Sequence, residues 1–323
     1  MNVLVTGASG FIGGNLCRVL VQAGHRVRAF HRASSVLTLL EGLDVEHAVG
    51  DLTQPETVAR AMEGIEVVFH AAAWMGSSDP GKLYAVTVEG TRTVLRCARE
   101  AGVRRVVHTS SVAALGVPEY RSPFPINENH TWNYRPERYP YGYAKYLAEL
   151  EVQRAVAQGL DAVIVNPALV FGAGDVYRQS RSLLRQVAAR RFPFSVEGGL
   201  NVVHLDDVIE GHLAALERGR TGERYILGGE NLSLHAMLSL AASVVGVPPP
   251  TLVLPAGIVR AAAIPLNAFQ RFLNLPVPVE TLHLAGYYFY FDTTKARREL
   301  GIALERSARQ AFADAWEWMR FPR

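Results

Sequence analysis

A glycine-rich turn stands between a short apolar run and an amphipathic helical pattern at the very start of the chain, and it restricts the available folds more than any other feature. Residues 2–6, Asn2-Val3-Leu4-Val5-Thr6, read as a strand; Gly7-Ala8-Ser9-Gly10-Phe11-Ile12-Gly13 follows; apolar positions then recur at Leu16, Val19, Leu20 and Ala23. Each glycine has a mechanical reason. Gly7 permits a tight exit from the strand, Gly10 lets backbone approach a pyrophosphate with no Cβ in the way, and Gly13 lets helix and sheet pack closely. The helix start then offers free N–H groups to the anion. Three glycines alone are a weak signal, because a plain strand-to-helix turn can carry them. Their place after the first strand, ahead of further βαβ units, is the context that a dinucleotide-binding reading requires.

Short apolar runs alternate with helix-length periodic segments through the first half. Residues 2–6, 26–31, 44–49, 65–70, 104–109 and 161–166 read as strands, and 11–23, 54–62, 82–101 and 142–157 as helices between them. This predicts an α/β fold built on a doubly wound parallel sheet of the Rossmann kind. After Gly172 the rhythm breaks: helical patterns at 177–190, 207–217, 234–245 and 306–319 are separated by Pro- and Gly-rich pieces. A smaller, irregular carboxy-terminal substrate lobe is implied. The division expected is a dinucleotide-binding domain over 1–170 and a substrate lobe over 171–323, with segments around 200–230 and 290–300 shared. The site is expected in the cleft between them.

A chain of 323 residues with 49% hydrophobic and 20% charged residues has ordinary globular composition, which excludes disorder and collagen-like repeats. A net charge of +3 is too small over this length to imply a nucleic-acid partner or a polybasic membrane surface. The two cysteines, Cys17 and Cys97, lie in apolar helical patterns and are expected to be reduced core thiols. The opening strand lacks the zones of an export signal, so the cytoplasm is expected. The greasy stretch Leu252–Phe269 is interrupted by Pro255, Arg260, Pro265 and Asn267, which argues against stable membrane insertion and for a helix covering an apolar site. His70 and His108 read as satisfied strand histidines, and no metal-ligand spacing emerges.

Binding of NAD through its ribose 2′-OH calls for an acid at the end of the second strand. Phe30-His31-Arg32 stands there instead. With no carboxylate to repel a 2′-phosphate, and with Arg32 available to pair with one alongside His31 or Arg28, NADP(H) is expected to be preferred, NAD(H) remaining possible. Further on, Tyr141 and Lys145 are four apart at the start of a long helix and share one face. An ammonium near a phenol favours the phenolate, lowering a pKa that starts at about 10, as an acid/base working near neutrality needs.

These pieces together resemble the extended short-chain dehydrogenase/reductases over essentially the whole chain. The likeness is carried by Thr6-Gly7-Ala8-Ser9-Gly10-Phe11-Ile12-Gly13, Gly50-Asp51-Leu52, His70-Ala71-Ala72, Thr109-Ser110-Ser111, Tyr141 with Lys145, Asn166-Pro167, Val203-His204-Leu205-Asp206-Asp207-Val208 and Asp292-Thr293-Thr294-Lys295-Ala296. The resemblance implies that Ser111 hydrogen-bonds the reacting oxygen while Ser110 points the other way, that Tyr141 is the acid/base, and that Lys145 binds the nicotinamide ribose and depresses the tyrosine pKa. It implies cofactor contacts from Gly7, Ser9, Gly10, Phe11, Ile12 and Gly13, from His31 and Arg32, from Asp51 and Leu52 at the adenine, and from Ala71, Ala72, Ala73, Thr109, Tyr141, Lys145 and Pro167.

Three departures bear on the substrate. Thr87 stands where many relatives carry asparagine, which puts the water-linked proton relay beneath the lysine in doubt. Asn201-Val202-Val203 replaces an Arg-Asp-Phe stretch that sugar-nucleotide epimerases often show, and Ser110-Ser111 replaces the Asp-Glu of sugar-nucleotide dehydratases. The resemblance therefore moves toward the dihydroflavonol reductase, 3β-hydroxysteroid dehydrogenase and hopanoid-associated branch. It implies an NAD(P)-dependent oxidoreductase interconverting a carbonyl and a secondary alcohol on a small, rather apolar substrate. A nucleotide-sugar epimerase is the alternative, with Arg178, Arg181, Arg185, Arg190 and Arg191 able to supply the missing cation if they face the cleft. A dinucleotide-binding sensor without chemistry is the third reading. Residues 261–272 and 287–291, or Trp132, Tyr134 and Tyr139, would roof the substrate. A homodimer through the helices at 82–101 and 142–157 is expected.

Overall fold

The computed structural model describes residues 1–74, 79–176, 183–269 and 282–320. The first half alternates strands β1 (Asn2–Thr6), β2 (Arg26–His31), β3 (Val45–Val49), β4 (Val67–His70), β5 (Arg105–Thr109) and β6 (Ala162–Pro167) with helices. The helices are α1 (Phe11–Gln22), α2 (Pro55–Met62), α3 (Pro80–Tyr84), α4 (Gly90–Glu100) and α5 (Pro140–Ala157). The second half runs through β7 (Leu169–Phe171), α6 (Leu183–Ala188), β8 (Phe194–Val196), β9 (Gly199–His204), α7 (Leu205–Arg218), β10 (Arg224–Leu227), β11 (Glu230–Ser233), α8 (Leu234–Val245), β12 (Leu252–Leu254), α9 (Ala256–Phe269) and β13 (Tyr288–Phe289). Helices Thr294–Leu300 and Ala308–Arg320 follow.

The main sheet has seven strands in the order β10-β6-β5-β4-β1-β2-β3, all pairings parallel. Its inner strands β1, β4 and β6 are near-continuous buried runs because helices cover both faces, whereas the edge strand β3 is mostly exposed. The two-residue period assigns the faces: Val3, Val5, Phe69, Val107, Val163 and Val165 meet the core that holds Leu16, Leu20 and Val208. Leu4, Val68, Val106 and Ile164 meet the opposite core, with Met62, Val94 and Val152. The order reverses between β1 and β4, so the carboxyl ends of these two strands form the switch-point crevice in which ligands of such sheets bind.

β10 joins the main sheet beside β6 although it comes late in the chain. Around it a second sheet forms on β9, which pairs antiparallel with β11 and parallel with β7 and β13. Its core gathers Leu184, Met237, Ala241, Phe312 and Met319. Among the described residues no helix is long and apolar enough to cross a membrane.

Several elements differ from expectation. The single helix predicted over 82–101 carries a π-helical turn at Ala85–Glu89 between α3 and α4, one widened turn of the sort that clusters near functional sites. The helix predicted over 142–157 starts at Pro140, because proline at the first helical position forfeits no bond that would have formed. Of the pattern at 177–190, Leu183–Ala188 is helical, and 177–182, with Arg178 and Arg181, lie outside the described residues.

Candidate active site

The glycine turn makes a cradle at the switch point. Gly7 has φ +70°, and a Cβ on it would lie 2.8 Å from Ala72 Cα on the neighbouring crossover. A Cβ on Gly13 would lie 2.2 Å from the Gly7 carbonyl oxygen, so the first turn of α1 rests on the turn that feeds it. Gly10 caps α1 without any side-chain hydrogen bond, which leaves first-turn N–H groups for an anion. These features fit the pyrophosphate of a dinucleotide.

Beneath this cradle, buried side chains tie β1 to β4. Thr91 Oγ1 donates to the Thr87 carbonyl at 2.6 Å, so it accepts from His70 Nε2 at 3.0 Å. His70 Nδ1 then accepts the Thr6 hydroxyl proton at 2.7 Å, and Thr6 Oγ1 accepts the Ala72 N–H at 3.4 Å. Burial, aided by the charge on Lys145, pushes the His70 pKa down to about 3, so the ring is neutral. Thr87 is committed as well: its hydroxyl holds the Trp74 N–H at 3.2 Å.

At the end of β2 the buried His31 points Nδ1 at the Arg32 carbonyl and Nε2 at His47 Nδ1, both at 3.0 Å. Arg32 itself is exposed. Arg28 is occupied by Glu46 at 2.9 Å and by the Ala61 and Glu63 carbonyls. Asp51 accepts from the Thr53 N–H and hydroxyl, and Leu52 is buried against Gly90. Thr109 and Pro167 end β5 and β6, and Ala71–Ala73 follow β4.

Ser111 starts a 3₁₀ turn over Val112–Leu115, and its Oγ accepts the Ala113 N–H at 3.2 Å. That leaves its own proton to donate. Ser110 Oγ donates instead to the buried Glu149 Oε1 at 2.5 Å. The amino end of α5 presses on the same turn: a Cβ on Gly142 would lie 2.7 Å from the Ala113 carbonyl oxygen. Next to Gly142 on α5 stands Tyr141, half-buried against Leu83, Val88 and Ala144, and one turn beyond it Lys145, 2% exposed. Lys145 Nζ donates to the Thr109 carbonyl at 2.8 Å. Burial lowers its pKa from 10.5 to about 8, against the opposing pull of Glu149. An ammonium that sheds its proton this easily is a sensitive electrostatic neighbour for a phenol.

Other expectations sort as follows. His108 is not a satisfied strand histidine: both ring nitrogens are buried without a hydrogen-bond partner among the described residues. It packs 5.2 Å from the His70 ring, and burial holds its pKa well below the usual 6.5. Asn201 is spent on structure, its Nδ2 bonding Gly229 O and Asn231 Oδ1. Trp132 stacks on Tyr139 and Tyr146 and tilts against Tyr143, so it braces the start of α5. Glu149 went unread in the sequence, although a carboxylate four residues beyond Lys145 in an otherwise apolar stretch was the available signal.

Comparison with known proteins decides the family. The model of the NAD dependent epimerase/dehydratase family matches residues 3–228. The chain belongs to that family. Its extended short-chain dehydrogenase/reductase relatives include a putative dihydroflavonol 4-reductase of Synechocystis sp., 36% identical, with 98% of this chain and 94% of the relative covered. Sterol demethylase protein B of Methylococcus capsulatus is 37% identical, with 99% and 98% covered. The crystal structure of gox2253 superposes with a TM-score of 0.86 at 38% identity, covering 98% of this chain and 97% of that one. The family is NAD-dependent, and membership makes this chain an enzyme.

Proposed function

We propose that this protein is an NADP(H)-preferring reductase or dehydrogenase that interconverts a ketone and a secondary alcohol on a small, rather apolar substrate. The observation that carries the reading is the buried Lys145 ammonium on the Thr109 carbonyl, one helical turn from Tyr141, on a helix seated against the turn that Ser111 begins. Gly7, Ser9, Gly10, Phe11, Ile12 and Gly13 would hold the dinucleotide's phosphates, Asp51 and Leu52 its adenine, and Ala71–Ala73, Thr109 and Pro167 its nicotinamide half. When bound, the nicotinamide supplies or accepts the hydride. Ser111 donates its free proton to the substrate oxygen. Tyr141 passes a proton to that oxygen in reduction and removes it in oxidation. Lys145 favours the phenolate, and the Thr109 carbonyl holds the amine in place.

The substrate class rests on the commitment of Asn201 to Gly229 and Asn231, which leaves no diphosphate-gripping cation at that position. Relatives named for a dihydroflavonol and a sterol support the apolar reading. We favour NADP(H) because Arg32 is exposed at the end of β2 with no carboxylate beside it, His31 being held by its own neighbours. The cofactor domain is proposed to span 1–170, joined by β10 and helix Thr294–Leu300. A cytoplasmic homodimer through α4 and α5 completes the proposal, the two free, buried cysteines suiting a reducing compartment.

The test incubates the protein with NADPH and a dihydroflavonol, a 3-ketosteroid and a 2-alkyl-3-oxoalkanoate. Stoichiometric cofactor oxidation with one of them is expected, and it should vanish in Tyr141→Phe while NADPH still binds. Interconversion of a nucleotide sugar with no net cofactor oxidation would establish the epimerase instead. Arg32→Ala should weaken NADPH binding and spare NADH; equal or tighter NADH binding by the wild type refutes the preference. A monomer in sedimentation would remove the dimer.

A further inference from the structure

Glu149 stands one turn beyond Lys145 on α5, only 4% exposed, where a carboxylate is costly unless fully paired. It is fully paired, and its partners come from three strands. Oε1 accepts the Ser110 hydroxyl of β5's exit at 2.5 Å and Asn166 Nδ2 of β6 at 2.6 Å, while Oε2 faces Arg224 Nη1 of β10 at 3.1 Å. Asn166 Nδ2 also reaches the Ser111 carbonyl at 2.9 Å. Arg224 goes on to the Glu128 and His130 carbonyls, and the His130 ring bonds Leu115 O at 2.7 Å, at the far end of the turn that Ser111 begins. One carboxylate therefore gathers both ends of the segment carrying the reacting serine.

We propose that Glu149 is a positioning residue: it locks the Ser111–Leu115 segment, at Ser111 through Asn166 and at Leu115 through Arg224 and His130, and it is the counter-charge to the Lys145 ammonium one helical turn away. The kinetic half of this proposal rests on the oxidoreductase reading; the electrostatic half does not.

The charged and titratable neighbours are few. On α5 itself lie Tyr141 and Lys145; from β4 and β5 come His70 and His108; from α7 comes His212, whose Nε2 lies 2.9 Å from the Thr109 hydroxyl; from β10 comes Arg224, with Glu128 and His130 beyond it. Burial keeps His70, His108 and His212 neutral at pH 7, and the turn Val112–Leu115 brings no ionisable side chain. Removing the Glu149 charge lowers the proton affinity of Lys145, so the sign of the effect is fixed.

Lys82, Lys145 and Lys295 are the chain's three lysines, so lysine labelled with ¹³C at Cε gives three resonances, and Lys145→Arg assigns the one of interest. The full chain is titrated as wild type, Glu149→Gln, Glu149→Asp and Arg224→Gln. Glu149→Gln should move the Lys145 midpoint down by about one pH unit, Glu149→Asp should restore it, and Arg224→Gln should move it up. In ketone reduction Glu149→Gln should shift the alkaline limb of kcat/KM to lower pH and reduce kcat by up to about a hundredfold. A folded Glu149→Gln with an unmoved Lys145 midpoint overturns the proposal. Should that variant fail to fold, Arg224→Gln decides, an unmoved midpoint again overturning it. These midpoints are read without turnover, so a protein that reduces no ketone refutes the oxidoreductase reading and leaves this result standing.

Discussion

Lys145→Met removes the buried cation while keeping most of its volume, and its effect on stability can be worked out in advance. In the unfolded chain the amine holds its proton to its ordinary 10.5, whereas in the folded protein it releases it at about 8. Between those values the unfolded state binds more protons, so this group penalises folding most below about pH 8 and progressively less as pH rises toward 10.5. The full penalty is about 3 kcal/mol near pH 7 and about 1 kcal/mol near pH 9.5. Methionine lifts that penalty but leaves the Thr109 carbonyl without its donor, which costs about 1–3 kcal/mol. At pH 7 the variant should therefore be as stable as the wild type or more so. With rising pH the wild type should gain about 2 kcal/mol on it. The assay is urea unfolding followed by tryptophan fluorescence at both pH values, taken as a difference so that titrating groups not coupled to Lys145 cancel. His70 and His108 recover basicity once Lys145 is gone, but both would titrate below this window. A wild-type-minus-variant difference that stays flat from pH 7 to 9.5 refutes the buried-ammonium account.

Two further outcomes follow from the geometry. Gly13→Ala places a methyl 2.2 Å from the Gly7 carbonyl oxygen, so α1 must withdraw: expect a loss of about 1–3 kcal/mol in stability, with dinucleotide affinity, read by cofactor fluorescence, falling further than stability does. Ser111→Ala should cut kcat for ketone reduction by about a hundredfold or more with cofactor binding intact, whereas Ser110→Ala should cost less in kcat because Asn166 and Arg224 still hold Glu149. Equal losses in the two variants would mean that the serines have been assigned the wrong way round.

The legible part of the site was local. The Gly7–Gly13 turn and the Tyr141–Lys145 spacing can be read in the sequence because each is one chain segment with its own period, and β1, β2 and α8 fall on the residues their patterns predict. What escaped depends on register between distant segments. Arg28 looks free beside Arg32 in the sequence, yet β2 and β3 pair it directly with Glu46. Glu149 reads as a helix carboxylate until residues 110, 166 and 224 converge on it. The π-helical turn at Ala85–Glu89 has no sequence period of its own, since it alters one turn of an otherwise regular helix. His108 shows the opposite failure, where the rule that buried polar groups find partners did not hold.

The run of bonds from the Ala72 amide through Thr6, His70 and Thr91 to the Thr87 carbonyl has a polarity, because its first donor and last acceptor are both backbone. With a neutral imidazole in the middle, it admits a single arrangement of protons. The strands β1 and β4 flanking the crevice and the widened turn behind them are thereby tied by one chain of bonds whose direction is fixed from end to end.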